Sequence, residues 1–301
     1  MTEAIYTEVS AKVEASKVTK RRVFASGMLK FLGVSRSGYR AFLKRKVSPS
    51  RQRKESNKKQ IGKIYDDSKQ NYGAPKITKE LRKLGYIISQ RTVGKYMKEM
   101  GIKAQWVKPW TTTTRDSDFS TELHNILDEQ FNPDWPNAVW CTDITYIWTQ
   151  NGFVYLNCVM DLYSRKIIAW TLADTMEVST VVATIKKAKA TRSTALPLII
   201  HTDRGSQYVS AAWREATGKM QRSYSHSGYP YDNACIESFH ALIKREWINR
   251  FNIRNYNHAY RLVFEYIEAF YNTVRLHSHC DYMSPVEFEK LYESVNKLPA
   301  A

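Results

Sequence analysis

The chain has 301 residues, 43% of them hydrophobic, enough for about two domains with sizeable cores. It holds no run of 18 or more apolar residues, no basic-then-apolar N-terminal leader pattern and no Cys-x-x-Cys pair among four scattered cysteines. A membrane span, a signal peptide, a disulfide framework and a zinc site are therefore not expected, and a cytoplasmic protein with reduced thiols is. The net charge of +17 is unevenly placed: residues 1–115 carry 28 Lys and Arg against 8 Asp and Glu, and residues 116–301 carry 18 against 21. A basic front and a near-neutral back suit a nucleic-acid-binding module joined to something else.

In residues 21–46 a short helix ends at Gly33 and Ser35 caps a second, basic one, a pattern that fits a helix-turn-helix unit. Residues 47–60 are polar and basic and contain Pro49, reading as a linker or the start of a solvated helix. These make a first segment, 1–60. A second helix-turn-helix segment, 61–102, opens on the turn residues Tyr72, Gly73 and Pro75. Its first helix (77–84) breaks at Gly85, and Ser89 caps the next, which Gly101 ends. Val93, Tyr96, Met97 and Met100 form the apolar side of that last helix. Gln90, Arg91, Thr92 and Lys95 crowd its N-terminal end, where a recognition helix meets the major groove. A generic three-helix bundle would share the periodicity; the basic face favours DNA contact. Residues 103–136 read as a linker with a short helix over 119–131, its Trp106 and Trp110 stacking on bases or, the favoured reading, packing onto the next domain.

From Ala138 the apolar pattern changes to period two. Strands are expected over 139–147, 153–160 and 166–172, with a hairpin turn at Asn151-Gly152. A helix (177–190), an apolar strand (198–201), a helix (210–217) and an edge strand (219–223) follow. Then comes an amphipathic helix whose stripe is Ile236, Phe239, Ile243 and Trp247, with Asp232 and Asn233 at its N-cap position. This order predicts an α/β core over 137–250: a mixed five-stranded sheet with helices on both faces, preceded by an all-α region. A helical extension, 251–301, contains a long helix (255–275) and a short one begun by Ser284-Pro285.

Three carboxylates stand out. Asp143 sits mid-strand, where an unpaired carboxylate is costly. Asp203 lies just past the carboxyl end of an apolar strand, where open α/β sheets place ligands, and Gly205 permits close approach. Glu237 lies beside the apolar stripe of the following helix, on the same side as Lys244. Three acids in one place repel unless divalent cations hold them, and hard oxygen donors select Mg²⁺ or Mn²⁺. Two such ions, ~3.5–4 Å apart, suit in-line phosphodiester displacement. His277-Ser-His279-Cys280 has no second half at ligand spacing.

The stretches Trp140-Cys-Thr-Asp-Ile-Thr-Tyr146, Asp161-Leu-Tyr-Ser-Arg-Lys166, His201-Thr-Asp-Arg-Gly-Ser-Gln-Tyr208 and Tyr231-Asp-Asn-Ala-Cys-Ile-Glu-Ser-Phe239 closely resemble the integrase-type core of bacterial insertion-sequence transposases. The likeness is to the downstream-frame (OrfB-type) product, and Tyr271-Asn-Thr-Val-Arg-Leu-His277 with Ser284-Pro285 resembles that family's C-terminal signature. It runs over roughly residues 20–292. The resemblance implies a ribonuclease-H-like fold and a DDE triad of Asp143, Asp203 and Glu237. It further implies Mg²⁺-dependent 3′-end cleavage and strand transfer on double-stranded DNA, both the element's terminal inverted repeats and the target. It implies as well a homo-oligomer on DNA, an upstream-frame (OrfA-type) partner or fusion, and residence at the bacterial nucleoid. Lys244 would grip phosphate at the element end. Gln207 and Asn233 would position DNA or water near the metals, or tie down loops. Asp161 reads as structural, Asp232 as a cap, and His201 and His240 as packed or hydrogen-bonded. The chain departs from the family in leaving 33 residues between Asp203 and Glu237 where 35 is usual, and in lacking leucine heptads in residues 1–60. A non-catalytic repressor or decayed copy, and a structure-selective nuclease on the same fold, are the competing readings.

Overall fold

Tight turns join the first three strands of the core, so they pair antiparallel, and helical crossovers bring in two parallel neighbours. The structure, a computed structural model, describes residues 2–19, 24–44, 48–105, 123–192, 197–226 and 229–296. It divides into two units, Met1–Gln60 and Ile61–Ala301.

In the first unit α1 (Thr2–Thr19), α2 (Ala25–Phe31) and α3 (Arg36–Lys44) enclose a small cluster of Tyr6, Val9, Leu29 and Tyr39. The turn between α2 and α3 has the expected form: Gly33 takes φ +66°, and Ser35 Oγ accepts from the Gly38 amide at 3.2 Å. Helix α1 was not expected. Its apolar residues, Tyr6, Val9 and Val13, have helical spacing but are few. Residues 47–60 feed α4 (Pro49–Asp67), begun by Ser48, whose Oγ accepts from the Arg51 amide at 3.2 Å. Of the two readings of this stretch, the solvated helix holds.

In the second unit the end of α4 packs with α5 (Ala74–Lys83) and α6 (Gln90–Glu99) through Ile61, Ile64, Ile77, Leu81, Val93 and Met97. Helix α5 starts earlier than its apolar pattern suggests because Pro75 fits the first turn. Ser89 caps α6 by accepting from the Thr92 amide at 3.2 Å. Gln90, Arg91 and Lys95 are exposed on it. The helix expected over 119–131 is absent from its described part: residues 123–131 are irregular. They follow the strand edge instead, with His124 O accepting from the Tyr224 amide and Ser223 Oγ accepting from the Ile126 and Leu127 amides. Backbone pairing outside a helix won over a weak period. Trp106 and Trp110 lie outside the described residues.

The sheet runs β3-β2-β1-β4-β5, with β1 (Val139–Thr149), β2 (Gly152–Asp161), β3 (Ile167–Ala173), β4 (Ile199–Thr202) and β5 (Gln221–Tyr224). Gly152, at φ +112°, closes the β1–β2 hairpin around Gln150 and Asn151. Alternation on β1 decides the rest. Val139, Cys141 and Ile147 face the cluster containing Ile236, Phe239 and Ile243 of α9 (Ala234–Glu246). Trp140 faces the opposite cluster, with Val181 and Ile185 of α7 (Val178–Thr191) and Trp213 of α8 (Ala211–Ala216). Helices thus cover both faces of this ribonuclease-H-like core. The connection from Asp203 to Glu237 contains α8, with six residues, and β5, with four.

The long C-terminal helix is α10 (Tyr256–Tyr266), extended by a π-helical turn, Ile267–Tyr271. Val263, Tyr266, Ile267, Phe270 and Tyr271 are inside, whereas Tyr260, Phe264 and Val274 are exposed. Ser284 and Glu287 form a capping box on α11 (Pro285–Asn296). The helix-turn-helix segment packs on this region: Tyr72 donates to Val274 O at 3.2 Å and accepts from the Leu276 amide at 3.0 Å. No described helix is long and apolar enough to cross a membrane.

Candidate active site

Residues 139–141 and 199–201 run side by side. The parallel register pairs Cys141 with His201; carried on by two residues, it sets Asp203 level with Asp143, about one strand spacing (~4.8 Å) away. Asp143 belongs to the β1 face on which α9 packs, and Glu237 lies in the first turn of α9, where the helix dipole favours an anion.

The carboxylates act on one another. Asp203 is pushed up from the usual 3.8 to about 6, first by burial, then by the negative charges of Asp143 and Glu237. Glu237 stands at the solvent-exposed rim and is also raised, by the surrounding protein and then by Asp143. Among the described residues no three His, Cys, Asp or Glu side chains close into a ready metal cage. The three meet through backbone register and field, not contact. Three carboxylates whose charges destabilise one another are hard oxygen donors of the kind a divalent cation of the magnesium type takes.

Each acid is held. Asp143 Oδ1 accepts from the Ile144 amide at 2.8 Å, and its Oδ2 lies 3.3 Å from His240 Nδ1. Asp203 Oδ1 accepts from the Gly205 amide at 2.9 Å, and a Cβ on Gly205 would stand 3.0 Å from that oxygen and 3.2 Å from Gln207 Oε1, so a larger residue would press on the Asp203 carboxylate. Behind the turn Tyr208 is buried and donates to Asn157 Oδ1 at 3.0 Å. Thr142 donates to the same oxygen, and Asn157 Nδ2 donates to Thr184. This Thr142–Asn157–Tyr208 network fastens the Asp203 turn to the sheet, and sequence reasoning passed over it. An Asn amid the apolar residues of β2 was its one signal.

The other candidates scatter. Lys244 is half-buried with Nζ 4.4 Å from the Tyr146 ring centroid; burial lowers its pKa and Asp143 opposes that. Gln207 donates to Met176 O at 3.1 Å. Asn233 is closed off from solvent, and its amide oxygen and nitrogen have no protein partner. Neither it nor Asp232 caps α9 with its side chain; Asp232 Oδ2 instead accepts from the His226 amide at 2.7 Å. His201 is buried between Ser223 and Ser225 and, through burial, lowered to about 4. Asp161 is fully buried and accepts from the Asn137 and Tyr163 amides. His277, His279 and Cys280 turn to Arg275, Tyr163 O and Ser164 O respectively. Gln90, Arg91 and Lys95 are apart from the carboxylates, on α6.

Comparison with known proteins gives the family. Integrase core domain models match residues 133–229 and 218–285, and an HTH-like domain model matches residues 52–110. The chain is 37% identical over 246 residues to the transposase for insertion sequence element IS904 of Lactococcus lactis, covering 80% of this chain and 97% of that one. It is 34% identical to transposase InsF for insertion sequence IS3A of Escherichia coli, covering 87% and 92%. The chain belongs to the IS3-family insertion-sequence transposases. Among solved structures, a chain of the simian T-cell lymphotropic virus intasome aligns at 15% identity with a TM-score of 0.43, covering 76% of this transposase and 74% of that chain. The HTLV-2 integrase catalytic core domain aligns at 15% identity with a TM-score of 0.40, covering 52% and 98%.

The raised Asp203 carboxyl makes stability depend on pH. A folded value above the unfolded one means the folded transposase binds the extra proton, so stability falls as pH rises from 3.8 through about 6 and stays lowered above that. The rise corresponds to at most roughly 3 kcal/mol. Asp203→Asn should therefore raise the melting temperature of metal-free protein at pH 7.5 and flatten its pH dependence below 6. Thermal melts showing no gain at pH 7.5 would contradict the carboxylate cluster.

Proposed function

We propose that this transposase binds the terminal inverted repeats of its own element, cleaves a phosphodiester at the 3′ end and joins the freed 3′-hydroxyl to target DNA. Asp143, Asp203 and Glu237 are the catalytic carboxylates, and they would hold two Mg²⁺ or Mn²⁺ ions. Bound there, the ions supply polarisation of the attacking oxygen and neutralisation of the leaving one. The chain's own groups do the rest. Backbone amides of Ile144 and Gly205 fix the two aspartates, and α9 presents Glu237 to them. Lys244 offers its ammonium to a phosphate beside Asp143. The exposed Gln90, Arg91 and Lys95 of α6 enter the major groove, while Gln207 and Asn233 shape the loops around the carboxylates.

The observation that supports this reading is the placement of Asp143 on β1 beside the strand that leads into Asp203, with α9, which carries Glu237, packed against β1, in a chain whose relatives are named transposases. The test is incubation with an oligonucleotide bearing the element's terminal repeat and Mg²⁺, with and without the upstream-frame product. Joined strands are expected; nicks alone would make the chain a nuclease, and a gel shift without products a repressor. Assembly as a homo-oligomer on that DNA, in the bacterial cytoplasm at the nucleoid, belongs to the same proposal.

Residues 1–115, with 28 basic against 8 acidic residues, set a further expectation. Displacing counterions from several phosphates makes affinity fall steeply with salt, by roughly 10³ or more between 50 and 200 mM for six contacts. Fluorescence anisotropy titrations across that range should show the drop. A flat dependence would remove DNA as the partner of the basic front.

A further inference from the structure

Among the apolar residues on the buried face of α9 stands a histidine that packing does not need. His240 follows Ile236 by four positions and precedes Ile243 by three, so it shares their face, and its side chain is 7% exposed. A polar ring in such a place costs stability unless its nitrogens find partners. The equally buried His201 has both: Nδ1 meets Ser223 Oγ at 2.9 Å and Nε2 meets Ser225 Oγ at 3.2 Å. His240 has one. Among the described residues its Nε2, closed off from solvent, meets no partner, and its Nδ1 lies 3.3 Å from Asp143 Oδ2.

Those two surroundings fix where the ring proton goes. On Nε2 it would be a buried N–H without an acceptor, and the bare Nδ1 would face an anionic oxygen lone pair to lone pair. On Nδ1 it points at the carboxylate and leaves only one unused lone pair behind. An alkyl side chain would fill the same space with no orphaned atom, so the contact with Asp143 is what the ring adds. The Asp143 carboxylate is thereby held at both ends: Oδ1 accepts from the Ile144 amide at 2.8 Å, and Oδ2 faces the imidazole. A carboxylate held at both oxygens does not turn about its Cβ–Cγ bond, and each oxygen keeps a lone pair free. Glu237 lies three residues before His240, so a single turn of α9 brings one carboxylate to the site and orients another.

Resting on the reading that Asp143, Asp203 and Glu237 hold divalent cations, we propose that His240 is a positioning residue whose Nδ1–H sets the plane of the Asp143 carboxylate, so that its free lone pairs are presented to the cation. Groups that orient metal-binding side chains in this way contribute about 10- to 100-fold in metal affinity. The part of His240 is to hold and not to react: with nothing beyond Nε2 to accept it, a proton taken up by the ring has no way onward.

The test compares two near-isosteric replacements in the full chain. His240→Asn places an amide N–H as many bonds from the backbone as Nδ1, and His240→Leu keeps that shape without the donor. Mn²⁺ is titrated into DNA-free protein, and binding is followed by loss of the free-ion electron paramagnetic resonance signal, beside thermal melts without metal. His240→Leu should bind Mn²⁺ about 10- to 100-fold more weakly than the parent, and His240→Asn within about threefold of it. The melts should run the other way, His240→Leu above His240→Asn, because asparagine buries a carbonyl oxygen with nothing to bond and leucine does not. Parent-like Mn²⁺ binding by His240→Leu overturns the proposal. So does equal weakening by both variants, since a residue that only packs would lose affinity with its shape and not with its donor. Asp143→Asn tells this failure from that of the underlying reading. If it too binds Mn²⁺ like the parent, the carboxylate reading falls and His240 with it; if it loses Mn²⁺ while His240→Leu does not, His240 alone is struck.

Discussion

Asp143→Asn, Asp203→Asn and Glu237→Gln should each lower strand transfer by about 10³ or more while binding to the terminal repeat stays within about twofold. The size follows from what is removed: losing one anionic oxygen from a cluster of three weakens divalent-ion binding and its charge stabilisation, worth several kcal/mol in the transition state. The selectivity follows from shape. Each replacement is nearly isosteric, so β1, the Gly205 turn and the first turn of α9 keep their geometry. It also relieves the repulsion that raises Asp203, so the inactive variants should melt no lower than the parent without metal. That pairing, lost chemistry with kept or gained stability, is what unfolding cannot imitate. The readout is product formation on a denaturing gel beside gel-shift affinity and thermal melts. Near-normal strand transfer by any one of the three would remove that residue from the triad.

The second large effect lies at the other end of α9. Arg275 is buried and clasps Glu246 through two bonds, Nε to Oε2 at 2.7 Å and Nη2 to Oε1 at 2.6 Å, while the Tyr266 hydroxyl donates to Oε2 at 2.8 Å. Burial alone would push the Glu246 carboxyl up, but the hydrogen bonds and charge of Arg275 outweigh it and hold the group below its usual range. Arg275→Met strands that carboxylate in the interior, a change that costs about 3–5 kcal/mol and about 10 °C of melting temperature for a unit of this size. Replacing both partners together, Arg275→Met with Glu246→Leu, should recover most of the loss, since neither member of the pair is then left without the other. A depressed carboxyl contributes stability that is present above its unfolded value near 4.5 and lost as pH falls through the folded one. The parent should therefore lose stability on acidification in a step that the double variant lacks. Urea melts at pH 7 and pH 4 measure both; a single variant within 1 kcal/mol of the parent would contradict the account. Helix α9 would then be tied down at Glu246 by something other than Arg275, and the seating of Glu237 would need another explanation.

Much of the core was legible because its signals are local. Period-two alternation marked β1, a short apolar run marked β4, and Gly33, Gly85 and Gly101 marked helix ends where each takes positive φ. Other features were not local. Helix α1 carries few apolar residues and exists through packing on α2 and α3. The irregular path of residues 123–131 depends on a strand edge some hundred positions downstream. The π-helical turn at Ile267–Tyr271 shifts the phase of the residues after it, and Val274 is exposed, which a constant 100° per residue cannot foresee. Asp232 and Asn233 have the right chemistry for caps, but the 3₁₀ turn before α9 points them elsewhere.

The stretch from Tyr229 to Trp247 shows where the division falls. By itself the sequence determined that an amphipathic helix would follow a turn there, that Glu237 would sit beside its apolar stripe, and that the motifs are those of an insertion-sequence transposase. Residue type and spacing along one chain are enough for that. Only the tertiary structure decided that Asp203 rises level with Asp143, that Asp203 feels Glu237, that His240 stands against Asp143, and that Arg275 holds Glu246. Fields and close contacts depend on distances through space, and the 59 residues of intervening chain between Asp143 and Asp203 carry no local trace of them.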